Sequence, residues 1–161
     1  MTENLKFILS RYDHYIEGVQ SKSNLYITLN TFVLTGSVTL FGGFENDLSN
    51  FLIGLLLLII ISSVIATIYI LLAVNPKTKK SDNDSIIFFG NVQEKKANAE
   101  YWEVIKNTNK SDFEEDLANQ VQQVASIVCK KHKALKNAGY LLITQFILIG
   151  IWLTTFILNK I

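Results

Sequence analysis

Three apolar blocks without a charged residue constrain this chain more than any other feature: Leu25–Phe44, Phe51–Val74 and Ala138–Leu158. A hydrocarbon core of roughly 30 Å takes about 20 helical residues to cross, and each block meets that length. In lipid a helix satisfies its own backbone hydrogen bonds, so a helix is the form such spans take. A soluble core of three such helices would leave too little polar surface in a chain of 161 residues to cover them. The expected fold class is therefore an all-α membrane protein with three transmembrane helices and a small helical cytoplasmic region.

Charge placement gives the orientation. The connection Glu45–Asn50 carries Glu45 and Asp47 and no basic residue, whereas lysines gather between Asn75 and Asn137. The positive-inside rule then puts that middle segment, and the N-terminus with it, in the cytoplasm. The resulting division is a cytoplasmic amphipathic helix over 1–24 and a first span over 25–44. An extracytoplasmic loop over 45–50 leads to a second span over 51–74. A cytoplasmic sensor region over 75–137 precedes the third span over 138–158. No cleavable signal peptide is expected, because a segment with charges of both signs precedes the first block and no small-residue cleavage site follows it.

The polar segments carry helical patterns of their own. Leu5, Leu9, Tyr12, Ile16 and Val19 recur at steps of four and three, a single apolar stripe that can run on into the first span with a bend at Gly18. Asn75-Pro76 ends the second span, and Lys77–Asp84 reads as a loop. The cluster Ser85-Ile86-Ile87-Phe88-Phe89 is closed by the turn signal Gly90-Asn91. Val92–Lys106 reads as a helix with Tyr101, Trp102 and Ile105 as its apolar side. Ser111-Asp112-Phe113-Glu114 fits a capping box and predicts the start of the last helix. Phe113, Leu117, Val121, Val124 and Val128 continue it as an apolar stripe. No breaker separates this helix from the third span, so a single long helix is expected, with Gly139 its weak point.

Enzymatic chemistry finds little support. Cys129 is the only cysteine, which excludes an intramolecular disulfide and a metal site built on paired cysteines. None of the common phosphate-loop, dinucleotide, zinc-protease or nucleophile-elbow motifs occurs. His14 and His132 are far apart in sequence, and Asp13-His14 has no nucleophile motif beside it. No catalytic residue, metal ligand or cofactor is assigned.

Several polar residues near the spans admit two readings. Lys130, Lys131, Lys133 and Lys136 suit a juxtamembrane anchor on anionic head groups, or a phosphate site. Lys22, flanked by Ser21, Ser23 and Asn24, either snorkels or faces a ligand. Phe88 and Phe89 before Gly90 either plug a small core or stack on a base. Asn24, Thr28, Thr31, Thr35 and Thr39 fall on one face of the first span, with Gly42 continuing it. Such a face suits close helix packing or the lining of a pore in an oligomer. Ser62 and Ala66 offer a second small-residue surface on the second span.

At these residues the sequence resembles the small transmembrane effectors of Pycsar antiphage defence. Gln20-Ser21-Lys22 followed by Asn30 in the first span matches the family's first landmark, with Gln20 in place of an acid. Ile87-Phe88-Phe89-Gly90-Asn91 after the second span matches the next. Asp116, Gln120 and Lys131 on the last helix match the third, and span placement agrees over nearly the whole chain. The resemblance implies a sensor–effector of the bacterial inner membrane. A partner cyclase makes cyclic CMP or cyclic UMP, the cytoplasmic part binds it as an activating ligand, and the membrane part then impairs the bilayer. The alternative reading is a constitutive small channel subunit or a partner-binding membrane scaffold.

Two further expectations follow. A homo-oligomer is expected, since three spans alone do not enclose an aqueous path. No nucleic-acid partner is implied. The ligand site is expected to draw on Lys22 and Lys131 as cations, Phe88 and Phe89 as an apolar face beside Gly90, and Asn91 and Gln120 as polar readers.

Overall fold

The structure is a computed structural model that describes residues 1–44, 48–75, 85–94 and 98–159. The side chains of Phe44, Phe89, Glu94, Asn98 and Ala99 lie outside the description. Five helices follow one another: α1 (Thr2–Phe44), α2 (Asn50–Val74), α3 (Phe89–Glu94), α4 (Asn98–Asn107) and α5 (Lys110–Leu158). No strand occurs among the described residues, and α1, α2 and α5 are long and apolar enough to cross a membrane. The expected loop over 77–84 and the first half of that over 45–50 fall outside the described residues.

Two of the helices are much longer than the spans they contain. α1 runs through Gly18 without interruption, and α5 runs for 49 residues, polar at its start and apolar beyond Ala138. The long third helix expected from the missing breaker is therefore present. Its start differs from the capping-box reading. The carbonyl side chain of Asn109 accepts from Asp112 N at 2.9 Å, so Asn109 is the N-cap, not Ser111. Asn and Ser cap about equally well, and the upstream residue adds two more residues, about half a turn, to the helix. Glu114, expected to close that box, accepts instead from the Thr2 hydroxyl.

The chain divides into two compact units, with the boundaries at Gly18, Asn75 and Lys131. The first, here the polar unit, comprises residues 1–17 and 76–130. The stripe Leu5, Leu9, Tyr12 and Ile16 is at least half-buried in it, as is the stripe Phe113, Leu117, Val121, Val124 and Val128. α4 turns Tyr101, Val104 and Ile105 inward, but Trp102 is 63% exposed. Trp102 sits about 100° around the helix from Tyr101, beyond the edge of that narrow apolar face. Cys129 is exposed.

The second, the span unit, comprises residues 18–75 and 131–161. Leu52, Leu55, Leu56 and Trp152 form one core cluster, with Leu40, Phe41 and Leu148 packed against it. Val19, Ala73 and Leu135 form another, joined by Tyr26 and Ala134. Gly139 is not a weak point: a Cβ there would lie 3.2 Å from the Tyr26 hydroxyl, so glycine admits the ring. Ala66 is fully buried inside this bundle, and the Ser62 hydroxyl donates to its own helix at Ile59 O, so the pair is not an outward packing surface. The threonine face of α1 does point outward. Thr28, Thr31, Thr35 and Thr39 are all exposed.

Candidate functional site

In the polar unit the segment before α3 is fastened to α5 by a buried polar node centred on Ser85. The Asp116 carboxylate accepts from Ser85 Oγ at 3.1 Å and from Ile86 N at 3.0 Å. Gln120, one turn further along α5, donates to Ser85 Oγ at 2.9 Å. The same hydroxyl accepts from Phe88 N at 3.0 Å and Ile87 N at 3.2 Å, which folds the chain over into α3. Tyr101 of α4 closes the node by donating to Ile86 O at 2.9 Å. Asp116 and Gln120 lie four residues apart, so they share one face of α5 and reach one partner together.

Phe88-Phe89-Gly90-Asn91 is not the closing turn expected of it. Asn91 N and Val92 N donate back to Phe88 O, and Phe89 to Asn91 already belong to α3. No described glycine has a positive φ, so Gly90 is not needed for a left-handed conformation. It is needed for space, because a Cβ there would lie 2.8 Å from the Phe88 ring. Asn91 is 2% exposed and Gln120 5%, while Phe88 is half-buried. Of the expected ligand residues, the polar unit thus brings together Phe88, Gly90, Asn91 and Gln120. The Phe89 side chain lies outside the description. Ser85 and Tyr101 join these residues without a sequence pattern that marks either as a site residue. Their signal was only the serine that opens the apolar cluster and a tyrosine on the inward face of α4.

Lys22 and Lys131 belong to the span unit. Lys22 is exposed. Lys131 is 8% exposed, whereas Lys130, Lys133 and Lys136 are all open to their surroundings. Its ammonium donates to Ala73 O at 2.7 Å, and to Val74 O and Asn75 O at 3.1 Å each. These are the last carbonyls of α2, a helix with no basic residue in its own final turn. A helix end leaves such carbonyls without intrahelical donors, and a cation there also meets the negative end of the helix dipole. Lys131 therefore caps α2 from α5.

The span unit has a polar node of its own. Asn30 of α1 donates to Ser63 O at 2.9 Å and to the Thr67 hydroxyl at 2.8 Å, both on α2. Gln145 of α5 donates to Asn30 Oδ1 at 3.1 Å. One asparagine thus ties all three spans.

Among ionisable groups of the polar unit, the Thr2 hydroxyl holds the Glu114 carboxyl below its usual range. The Arg11 guanidinium is raised by its hydrogen bond to the Tyr15 hydroxyl at 3.0 Å. No cluster of three metal-ligating side chains occurs among the described residues.

The family model described as the Pycsar effector protein domain matches residues 4–158. The chain belongs to the Pycsar effector family. No curated protein and no solved structure matches it. Membership supports an antiphage defence role for a multi-pass membrane protein. The family is one of transmembrane effectors rather than of known enzymes, and it implies a cyclic nucleotide signal from a cyclase partner.

Proposed function

We propose that this Pycsar effector is triggered by a cyclic pyrimidine mononucleotide, cCMP or cUMP, and that the triggered form impairs the bacterial inner membrane. The observation that carries this reading is the extent of the family match, which takes in both the polar unit and all three apolar helices. The lysine-rich middle segment supports a cytoplasmic placement of the polar unit and the N-terminus, where a nucleotide from a partner cyclase is met.

Recognition is assigned to residues 88–91 together with Gln120. A half-buried aromatic offers a face for the base, and Asn91 and Gln120 are the amides that read its edge. The acting form is a homo-oligomer joined through the exposed threonine face of α1, which is supported by its short side chains. No cofactor takes part; the nucleotide acts only as a signal.

Direct binding of radiolabelled cCMP and cUMP to the detergent-solubilised full chain tests the reading, alongside dye release from vesicles containing it. Saturable binding of one nucleotide, with release only in its presence, is the expected result. Release without nucleotide would indicate a constitutive channel. No binding of either nucleotide overturns the proposal. Cross-linking in membranes that gives only monomer, with and without nucleotide, removes the oligomer.

A further inference from the structure

The inward face of α1 repeats a polar residue every seven positions: Ser23, Asn30 and Ser37, at 1%, 1% and 5% exposure. Seven residues are two helical turns, or about 10.5 Å, so the three side chains line one seam at successive depths. α5 answers in the same register, with Gln145 and Trp152 seven apart, both buried. α2 adds Ser63, fully buried. The hydrogen-bonding capacity of this seam is not used up. Among the described residues, Ser23 Oγ, Ser63 Oγ, Gln145 Oε1 and Trp152 Nε1 are buried without a hydrogen-bond partner.

The opposite face of α1 behaves differently. Thr28, Thr31 and Thr39 donate to the carbonyls of Asn24, Ile27 and Thr35, one turn back on their own helix. Those hydroxyls are satisfied without water and can lie against lipid or another helix. A buried polar atom left unpaired in an apolar medium is costly, so the seam needs a partner that the outer face does not. There is also room for one. A cavity of about 50 Å³ among the three spans meets Ser37 and the Trp152 ring within an otherwise apolar lining that includes Leu40, Leu56, Ile149 and Leu153. A water needs about 10–15 Å³ of such space and two or more polar neighbours.

We infer that the interior seam of the three-span bundle binds a file of water in exchange with the bulk, held by Ser23, Ser63, Gln145 and Trp152 and by the cavity at Ser37. This water lies inside each protomer without forming an open path across the membrane, and the threonine face of α1 is dry. This stands apart from the nucleotide reading, since it concerns the untriggered chain.

The test uses two positions at nearly the same depth on opposite sides of one helix. Ser37→Cys and Thr35→Cys are made separately in a Cys129→Ser background, and the full chain is reconstituted in phosphatidylcholine–phosphatidylglycerol vesicles. Silver ion is added for timed intervals, and the remaining free thiol is counted by mass spectrometry. Silver reaches a thiol only through water, and a thiol in hydrocarbon stays protonated. Ser37→Cys should react about tenfold faster than Thr35→Cys, because an ion avoids a dry apolar environment. Equal rates, a faster Thr35→Cys, or no reaction at either position overturns the inference. The unsubstituted chain supplies a second measurement. Magnetisation transfer from water to the Trp152 indole N–H in bilayers is expected, and its absence also overturns the inference.

Discussion

Each unit of this effector is fastened by a buried polar node that includes a glutamine of α5, but the two nodes differ in charge. In the polar unit Gln120 shares Ser85 with the Asp116 carboxylate. In the span unit Gln145 meets Asn30, and no ionisable group takes part. A carboxylate is tolerable where water is near and two donors are aimed at it. At the centre of a bilayer an ionised group is expensive, and neutral amides tie helices together without that cost. The two nodes do the same mechanical work with chemistry suited to two solvents.

Removing the charged node should have the largest effect. Asp116→Leu leaves Ser85 Oγ and Ile86 N–H without their acceptor, a loss of about 3 kcal/mol. Amide exchange at Ile86 and Phe88 should speed up about a hundredfold, while amides of α2 stay as protected as before. Equal loss of protection in both regions would mean that the nodes are not independent. Next comes the cap on α2. Lys131→Met should cost about 2 kcal/mol, as expected for hydrogen bonds to a charged donor, and loosen the amides at the C-terminal end of α2. Lys133→Met, an exposed lysine, should change neither quantity. If both variants behave alike, Lys131 serves only as a lipid anchor.

The neutral node should give a smaller effect. Asn30→Leu should lower the resistance of the spans to unfolding by about 1 kcal/mol, since side-chain bonds between membrane helices contribute little individually. Steric-trap unfolding in bicelles measures this. A loss as large as that of Asp116→Leu would erase the contrast between the two solvents. The smallest effect concerns Glu114. Its carboxyl is held low by the Thr2 hydroxyl. The stability it contributes is therefore complete above its unfolded titration point and lost as pH falls through the lowered folded one. Carbon-detected titration of Glu114 should show the depressed midpoint in the native chain, and Thr2→Ala should move it back toward the ordinary range.

Much of the fold is legible in the residues alone. Uncharged blocks mark the spans, and the missing breaker before Ala138 marks a continuous α5. The errors are local and have physical causes. Two good capping residues stand two positions apart at Asn109 and Ser111, and sequence alone does not rank them. A small residue such as Ala66 suits an inner face as well as an outer one, so its side is decided only by packing. Trp102 is apolar in type but falls off the narrow face of α4.

The candidate site is legible in half. Asp116 and Gln120 announce a shared helix face by their spacing, but their partner Ser85 lies more than thirty positions away and carries no pattern. Likewise, four similar lysines follow Cys129 closely in sequence. Only the register of α5 against the end of α2 singles out Lys131 as the buried one.

The seven-residue spacing of Lys131, Ala138, Gln145 and Trp152 on α5 carries an evolutionary consequence. All four are buried in one row, so a single residue inserted after Leu135 would turn Ala138, Gln145 and Trp152 by about 100° while leaving Lys131 in place. The glutamine and the indole would then exchange their partners for acyl chains. Length changes between these residues are therefore not tolerated, since even two whole turns would carry Gln145 about 10.5 Å along the helix and away from Asn30. Descendants of this chain should drift freely in the outward residues of α5 while keeping the count between Lys131 and Trp152 fixed.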